Sequence, residues 1–259
     1  VTAAELLRGL YRVRALERAA GRDPDPASLL APTVTAFALA SRPPDLLTVC
    51  AGAAGATVLR GLDARDLARH QADAGGSGYP TRSDLGLLGP VPSRGVSLSV
   101  AAGAALAFGL RKERRVAVVI DDASALQSGG WHEGLGLAAA RGVPLVAVLM
   151  HRTDSRSAGA GLRRAEAYGV HAERLVADDA DALARRIHRI VDSARTRPSP
   201  WLVEIVSSDR DPIARLETRV IVAEPEDPAS MSARDRLARW AAEAEAEARD
   251  AWRGLEVAA

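Results

Sequence analysis

Asp121 and Asp122 stand directly behind Val116-Ala-Val-Val-Ile120, an apolar run with the composition of a buried strand. A carboxylate at the carboxyl end of such a strand can ligate a metal, accept a hydrogen bond from a ribose hydroxyl, or meet a helix N-terminus. It can equally do no more than cap the next element. Position alone leaves both readings open. Trp131-His132-Glu133-Gly134 opens the helix that follows. Gly136 occupies the position four residues after His132, so the pair is not a zinc motif. Glu133 in a first helical turn suits the helix dipole, which makes a structural role the simpler one. The next apolar run, Leu145–Met150, ends in His151-Arg152. Cys50 lies in an apolar run and reads as a small buried hydrophobe rather than a nucleophile. His70, His171 and His188 share no spacing that pairs them, and they read as surface or capping residues.

The elements that would position these residues follow from periodicity. Leu6, Leu10, Val13 and Leu16 repeat at helical spacing over residues 2–20, and Gly21 with Asp23-Pro24-Asp25-Pro26 ends that helix. A second helix is expected over 27–40, a short buried strand over 46–50 and a helix over 54–72. A Gly/Pro/Ser-rich loop from Ala74 to Arg94 has a length that points to a functional segment or an interface. An Ala-rich helix over 95–110 comes next. Strand 116–120, helix 131–141, strand 145–150, helix 179–195 and strand 201–206 then alternate. That alternation predicts an α/β fold, a parallel sheet with right-handed crossovers and helices on both faces. Ligands in such folds sit beyond the carboxyl ends of the strands, here Asp121–Gly130 and His151–Gly161. A final Ala/Glu/Arg helix is expected over 230–253. The whole reads as one domain, with N-terminal helices in 1–40, an α/β core in 41–210 and a C-terminal tail and helix in 211–259.

The bulk numbers narrow the function classes. With 259 residues, 47% hydrophobic and only 3% aromatic, the core must be built from Ala, Val and Leu. A net charge of +1 gives no global field for nucleic acid or an acidic membrane. The run Arg111-Lys112-Glu113-Arg114-Arg115 is mixed in sign and reads as a solvated helix end. A single cysteine precludes an intrachain disulfide, no stretch reaches the ~18 apolar residues of a membrane span, and no charged leader opens the chain. The expectation is a cytoplasmic protein.

The stretch from Arg115 to Met150 resembles the cofactor fingerprint of the alpha subunits of thiamine-diphosphate-dependent 2-oxo acid dehydrogenases. The frame is the strand to Ile120, then Trp131-His132-Glu133-Gly134-Leu135, Leu137-Ala138-Ala139, Pro144 and the second strand. Leu10-Tyr11-Arg12 through Arg18 resembles the family's opening helix. Arg42-Pro43-Pro44-Asp45 and Leu59-Arg60-Gly61-Leu62-Asp63 resemble the flanks of its next conserved stretch. Gly75-Gly76-Ser77, Gly95 and Ala101–Ala107 resemble its glycine loop and the helix after it. Ala167-Tyr168-Gly169-Val170 and Asp211-Pro212-Ile213-Ala214-Arg215-Leu216 match two later landmarks. Split transketolase amino-terminal subunits share the architecture, and Leu126-Gln127 with Gly129 are similar to them; the two end landmarks favour the dehydrogenases.

The departures fall on the family's chemistry. Its Gly-Asp-Gly reads Ile120-Asp121-Asp122 here. Ile120 obstructs the close backbone approach to a diphosphate that a Gly permits, and Asp122 adds negative charge beside an anionic cofactor. The family's Asn-Asn falls on His151-Arg152. Magnesium requires oxygen ligands, whereas Arg has no lone pair and His offers only nitrogen. The resemblance thus assigns Asp121, Asp122, His151 and Arg152 to thiamine diphosphate and Mg2+, with Asp121 at the metal position; a one-residue slip would put Asp122 there. The family's Tyr-Arg-Asp-His-Gly-His stretch falls on Ala51-Gly52-Ala53-Ala54-Gly55-Ala56, and its His-bearing loop after the last core strand is missing before Asp211. No catalytic residue is expected. Arg152 is expected to pair with Asp121 in place of the lost cation. Two functions remain. The favoured one is an alpha-like subunit that does not bind the cofactor and scaffolds a beta-like partner in a heterotetramer, with Trp131, His132, Glu133 and Gly103 at the interface. The other is a working 2-oxo acid decarboxylase or dehydrogenase, or a transketolase-like transferase.

Overall fold

The apolar runs Ala117–Asp122, Leu145–His151 and Trp201–Ser207 form β2, β3 and β5 of a parallel sheet. The structure is a computed structural model that describes residues 1–40, 43–74, 78–91, 93, 95–152, 158–223 and 231–255. Leu46–Val49 (β1) pairs with β2, and His171–Ala177 (β4) pairs with β5, giving the order β1-β2-β3-β5-β4 with every pairing parallel. The three inner strands are buried on both faces, as their unbroken apolar sequence requires. β4 was not expected. It is an edge strand whose sequence, His-Ala-Glu-Arg-Leu-Val-Ala, is mostly exposed and carries charge where an inner strand carries Val.

Helices cover both faces. On one, Val118, Ile120, Val146, Val148, Val203 and Ile205 share a core with Ala3–Ala19 (α1), Pro26–Ala38 (α2), Ala64–Asp73 (α3), Ala180–Thr196 (α7), Pro212–Ala223 (α8) and Ala233–Ala251 (α9), of which α2 and α7 lie against the strands. On the other, Ala117, Val119, Leu145, Ala147, Leu149 and Leu202 meet Val96–Leu110 (α4), Gly129–Arg141 (α5) and Ala160–Ala167 (α6). Side-chain caps start the helices: Thr2 and Glu5 form a capping box on α1, and Asp25, Asp63 and Asp179 cap α2, α3 and α7. The amino end of the sheet is tied by Asp45. Its fully buried carboxylate accepts the amides of Ala40 (2.8 Å) and Val116 (2.9 Å) and pairs with Arg195.

The helix expected over 54–72 is broken. Ala51–Arg60 is a 3-10 segment with Ala53 outside helical geometry, and Gly61, at φ 97°, turns the chain into α3. Ala and Gly alone set no helical register here, so tertiary packing decides. The expected 74–95 loop lies partly along β1 through a Leu47–Leu87 bridge, and it contains a short 3-10 turn, Ser83–Leu85. α6 and α8 are additions to the expected elements. Gly75–Ser77, Arg42, Arg94 and residue 230 lie outside the described residues. Among the described residues, no helix is long and apolar enough to cross a membrane.

The aromatic-poor core works by close approach. α4 crosses α5 where Ala101, Ala102 and Ala105 are fully buried. At the crossing, a Cβ on Gly134 would lie 2.6 Å from the Ser99 amide nitrogen, which is backbone and cannot step aside. Gly134→Ala is therefore expected to destabilise the protein by about 1–3 kcal/mol. Urea unfolding monitored by circular dichroism reads the shift in midpoint, and an unchanged midpoint would refute this packing.

Candidate functional site

A cleft of about 840 Å³ opens beyond the carboxyl ends of β1, β2 and β3. Asp121 and Asp122 lie on its floor, Cys50, Ala51, Gly52 and Met150 to one side, and Gly78–Thr81, Gly89–Val91, Ser93, Gly95 and Ser97 around the rim. The Asp pair thus lines a cleft at the carboxyl ends of the strands. β2 presents the two carboxylates to opposite faces of the sheet.

They have different environments. Asp122 is exposed, and its Oδ1 accepts the Ser124 amide at 2.7 Å, capping the 3-10 turn Ala123–Gln127. Asp121 is only 8% exposed, and its Oδ2 has no hydrogen-bond partner. Burial, and secondarily the negative charge of Asp122, push the Asp121 carboxyl up to about 7. The Cys50 thiol is pushed up to about 12, first by burial and then by the charges of Asp121 and Asp122, so it is not a thiolate nucleophile near neutral pH.

The other motif residues are placed elsewhere. His151 is fully buried at the end of β3, and its Nε2 lies 3.5 Å from Glu204 Oε1, the distance of an ion pair rather than a hydrogen bond. Glu204, fully buried in β5, was missed by the sequence reading. It accepts the amides of Gly159 (2.7 Å) and Gly161 (2.8 Å) and meets Arg174 Nη2 at 3.3 Å. Burial raises its pKa, but His151 and the Gly159 and Gly161 amides outweigh that and hold it near about 2. Glu204 thus anchors the chain where it enters α6. The signal available beforehand was an acid inside the apolar run Trp201–Val206.

The expected Arg152–Asp121 ion pair is not formed. Arg152, the first residue past β3, is exposed, while Asp121 keeps an oxygen without a partner. Of the expected interface residues, Trp131 is 1% exposed and belongs to the chain's own core, where it packs edge-on against the half-buried His132. Its bulk is used to fill the space between α5 and the sheet. Glu133 is exposed, and Gly103 lies on the outer side of α4 with nothing within 4 Å of a built Cβ. Of the alanine stretch, Ala51 and Gly52 face the cleft, whereas Ala53, Ala54 and Ala56 are core; the Gly55 amide donates to the buried Glu17 at 2.5 Å.

These residues do not fit a magnesium diphosphate. Asp121 offers one oxygen ligand for magnesium, but Asp122 is turned to the opposite face and caps the next turn, and among the described residues lining the cleft no Arg or Lys meets the phosphates. His151 turns to Glu204 instead of the cleft, and no group of three or more His, Cys, Asp or Glu side chains among the described residues is arranged to hold a metal ion.

No protein-family model matches the sequence, and no curated protein matches it. Among solved structures, the chain is similar to a transketolase variant from Pichia stipitis, with a TM-score of 0.56 and 18% identity over 96% of this chain and 44% of that one. The likeness is one of fold, and the chain spans under half the length of that transketolase. The fold is a parallel α/β fold like that of the corresponding part of the transketolase.

The raised Asp121 carboxyl has a definite consequence for stability. The folded state holds this proton up to about pH 7, whereas an unfolded Asp releases it near 3.8. Stability is therefore lost as pH rises from about 4 to about 7. Asp121→Asn removes the liability. Its stability relative to the unsubstituted chain is expected to improve by about 4 kcal/mol between pH 4 and pH 8. Denaturant titrations at the two pH values measure this, and a pH-independent difference would contradict the assignment.

Proposed function

We propose that this chain is an alpha-like subunit of a thiamine-diphosphate-dependent 2-oxo acid dehydrogenase-type assembly that no longer uses the cofactor and serves to scaffold a beta-like partner. The observation that carries this reading is Asp121. A buried carboxyl with an unpartnered oxygen stands beside Asp122, at the position that the motif resemblance gives to the diphosphate and its metal. A carboxylate alone is one ligand for magnesium, but among the described residues no third acidic or histidine side chain joins Asp121 and Asp122 to complete a site for a magnesium diphosphate.

Partnership is supported by the outer face of α4 and its neighbours. Val100 is 41% exposed, Leu110 77% and Leu137 37%, and Gly103 between them leaves room for a close approach. Apolar side chains clustered on one face are what soluble monomers tend to cover. The proposed assembly is a heterotetramer of two alpha-like and two beta-like chains, burying more than ~2,000 Å² at each obligate interface.

The retained cleft favours a second reading, a working 2-oxo acid decarboxylase or dehydrogenase or a transketolase-like acyl or ketol transferase. Calorimetric titration of the purified chain with thiamine diphosphate and millimolar magnesium separates the two. No saturable binding is expected, and micromolar affinity would establish the enzyme reading. Sedimentation provides the matching test of partnership. An oligomer is expected, formed alone or with the neighbouring gene product, and a stable monomer at micromolar concentration in both cases would defeat the scaffold.

A further inference from the structure

We propose that two copies of this chain meet through the outer face of α4 and α5, paired antiparallel about a two-fold axis that crosses Gly103 and Leu137. This deepens the scaffolding reading and rests on one part of it, that this face is an interface. It names the occupant as a second copy, so that a beta-like chain attaches elsewhere.

The two helices form one continuous face. α4 leads into the amino end of β2 and α5 into the amino end of β3, so they run the same way. Gly134 abuts the backbone of Ser99, and the Ser99 hydroxyl donates to the Gly130 carbonyl at 2.6 Å. One turn further along, Leu137 comes level with Gly103. On its outer side α4 carries Val96, Val100, Gly103, Ala107 and Leu110, at alternating intervals of four and three. No charged residue occurs in α4, and a helix that is apolar all round is ordinarily buried. Beside it, α5 exposes Glu133, Leu137 and Arg141 at intervals of four.

The symmetry of this pattern identifies the occupant. Turning the face end for end about Gly103 and Leu137 sets Val96 against Leu110 of the second copy, Val100 against Ala107, and Gly103 against Gly103. On α5 it sets Leu137 against Leu137 and, on both sides of the axis, Glu133 against Arg141. Both charged side chains are exposed, and among the described residues neither has a hydrogen bond or ion pair of its own. A closed two-fold interface needs such a self-complementary patch, uncharged at the centre and matched in charge at the rim. Gly103, with nothing within 4 Å of a built Cβ, lets the two α4 backbones approach closely at the axis. The face is two helices wide and about 20 Å long, at the small end of specific interfaces, which suits a dimer that dissociates in the micromolar range.

The test is sedimentation equilibrium on the full chain from about 1 to 200 µM. The unsubstituted chain is expected to dimerise. Glu133→Arg and Arg141→Glu are each expected to weaken the dimer about 30-fold or more, because each sets like charges face to face. The two substitutions together in one chain restore the opposite pairs and the dimer. An equimolar mixture of the two single variants restores it as well, since each variant supplies the charge that the other lacks. Both side chains are exposed, and an unchanged circular dichroism spectrum verifies the fold of each variant. A monomeric unsubstituted chain, single variants that dimerise as it does, or a double variant and mixture that stay monomeric would each overturn the proposal. A chain that is monomeric alone but associates with the neighbouring gene product would remove this inference and leave the scaffold standing. A monomer in both cases would defeat the two together.

Discussion

A parallel sheet wrapped on both faces leaves its carboxyl edge as the place where side chains can meet a ligand. β2 lies between β1 and β3, so its carboxyl end is walled on either side as well as above and below. Whatever residue stands at position 121 is therefore nearly dry. In this chain it is an acid. Burial disfavours the charge, Asp122 disfavours it further, and the group responds by holding its proton to about pH 7. The acid–base character of the cleft floor derives from that placement.

The rest of the molecule serves to fix that edge. Asp45 ties α2, α7 and the start of β2 together at the amino end. Glu204 holds the amides of Gly159 and Gly161 and so fixes the chain entering α6 beside the cleft. Where aromatic side chains would normally fill space, small residues bring helices closer, and Gly134 against Ser99 is the tightest case at the α4–α5 crossing. The outer side of α4 carries small and apolar residues, with Val100 and Leu110 exposed and nothing within 4 Å of a built Cβ on Gly103 among the described residues. That contrast between a filled inner face and a bare outer one supports an assembly.

Much of this was legible in the sequence. Val116–Ile120, Leu145–Met150 and Trp201–Val206 are apolar runs of strand length, and their order with the intervening helices fixed the parallel sheet. Asp121 and Asp122 were legible because the end of a buried strand is a position that topology makes special. Other features depended on contacts that no local pattern encodes. β4 carries the adjacent charges Glu173 and Arg174 and no continuous apolar run, since an edge strand is largely exposed. The break between Ala51–Arg60 and α3 lies in an Ala/Gly stretch where propensity is neutral. Glu204 went unremarked inside a strand, since its partners Gly159 and Gly161 are more than forty residues away in sequence. Arg152 was misread because complementarity of charge was assumed to draw it to Asp121, whereas it lies exposed past the end of β3.

The most direct measurement is a carbon-detected NMR titration of the Asp121 side-chain carboxyl in the free chain. A midpoint near pH 7 is predicted, moving down in Asp122→Asn as the neighbouring charge is removed. A midpoint near the ordinary value of ~3.9 or below would mean that the carboxylate is paired or solvated, and it would contradict the account.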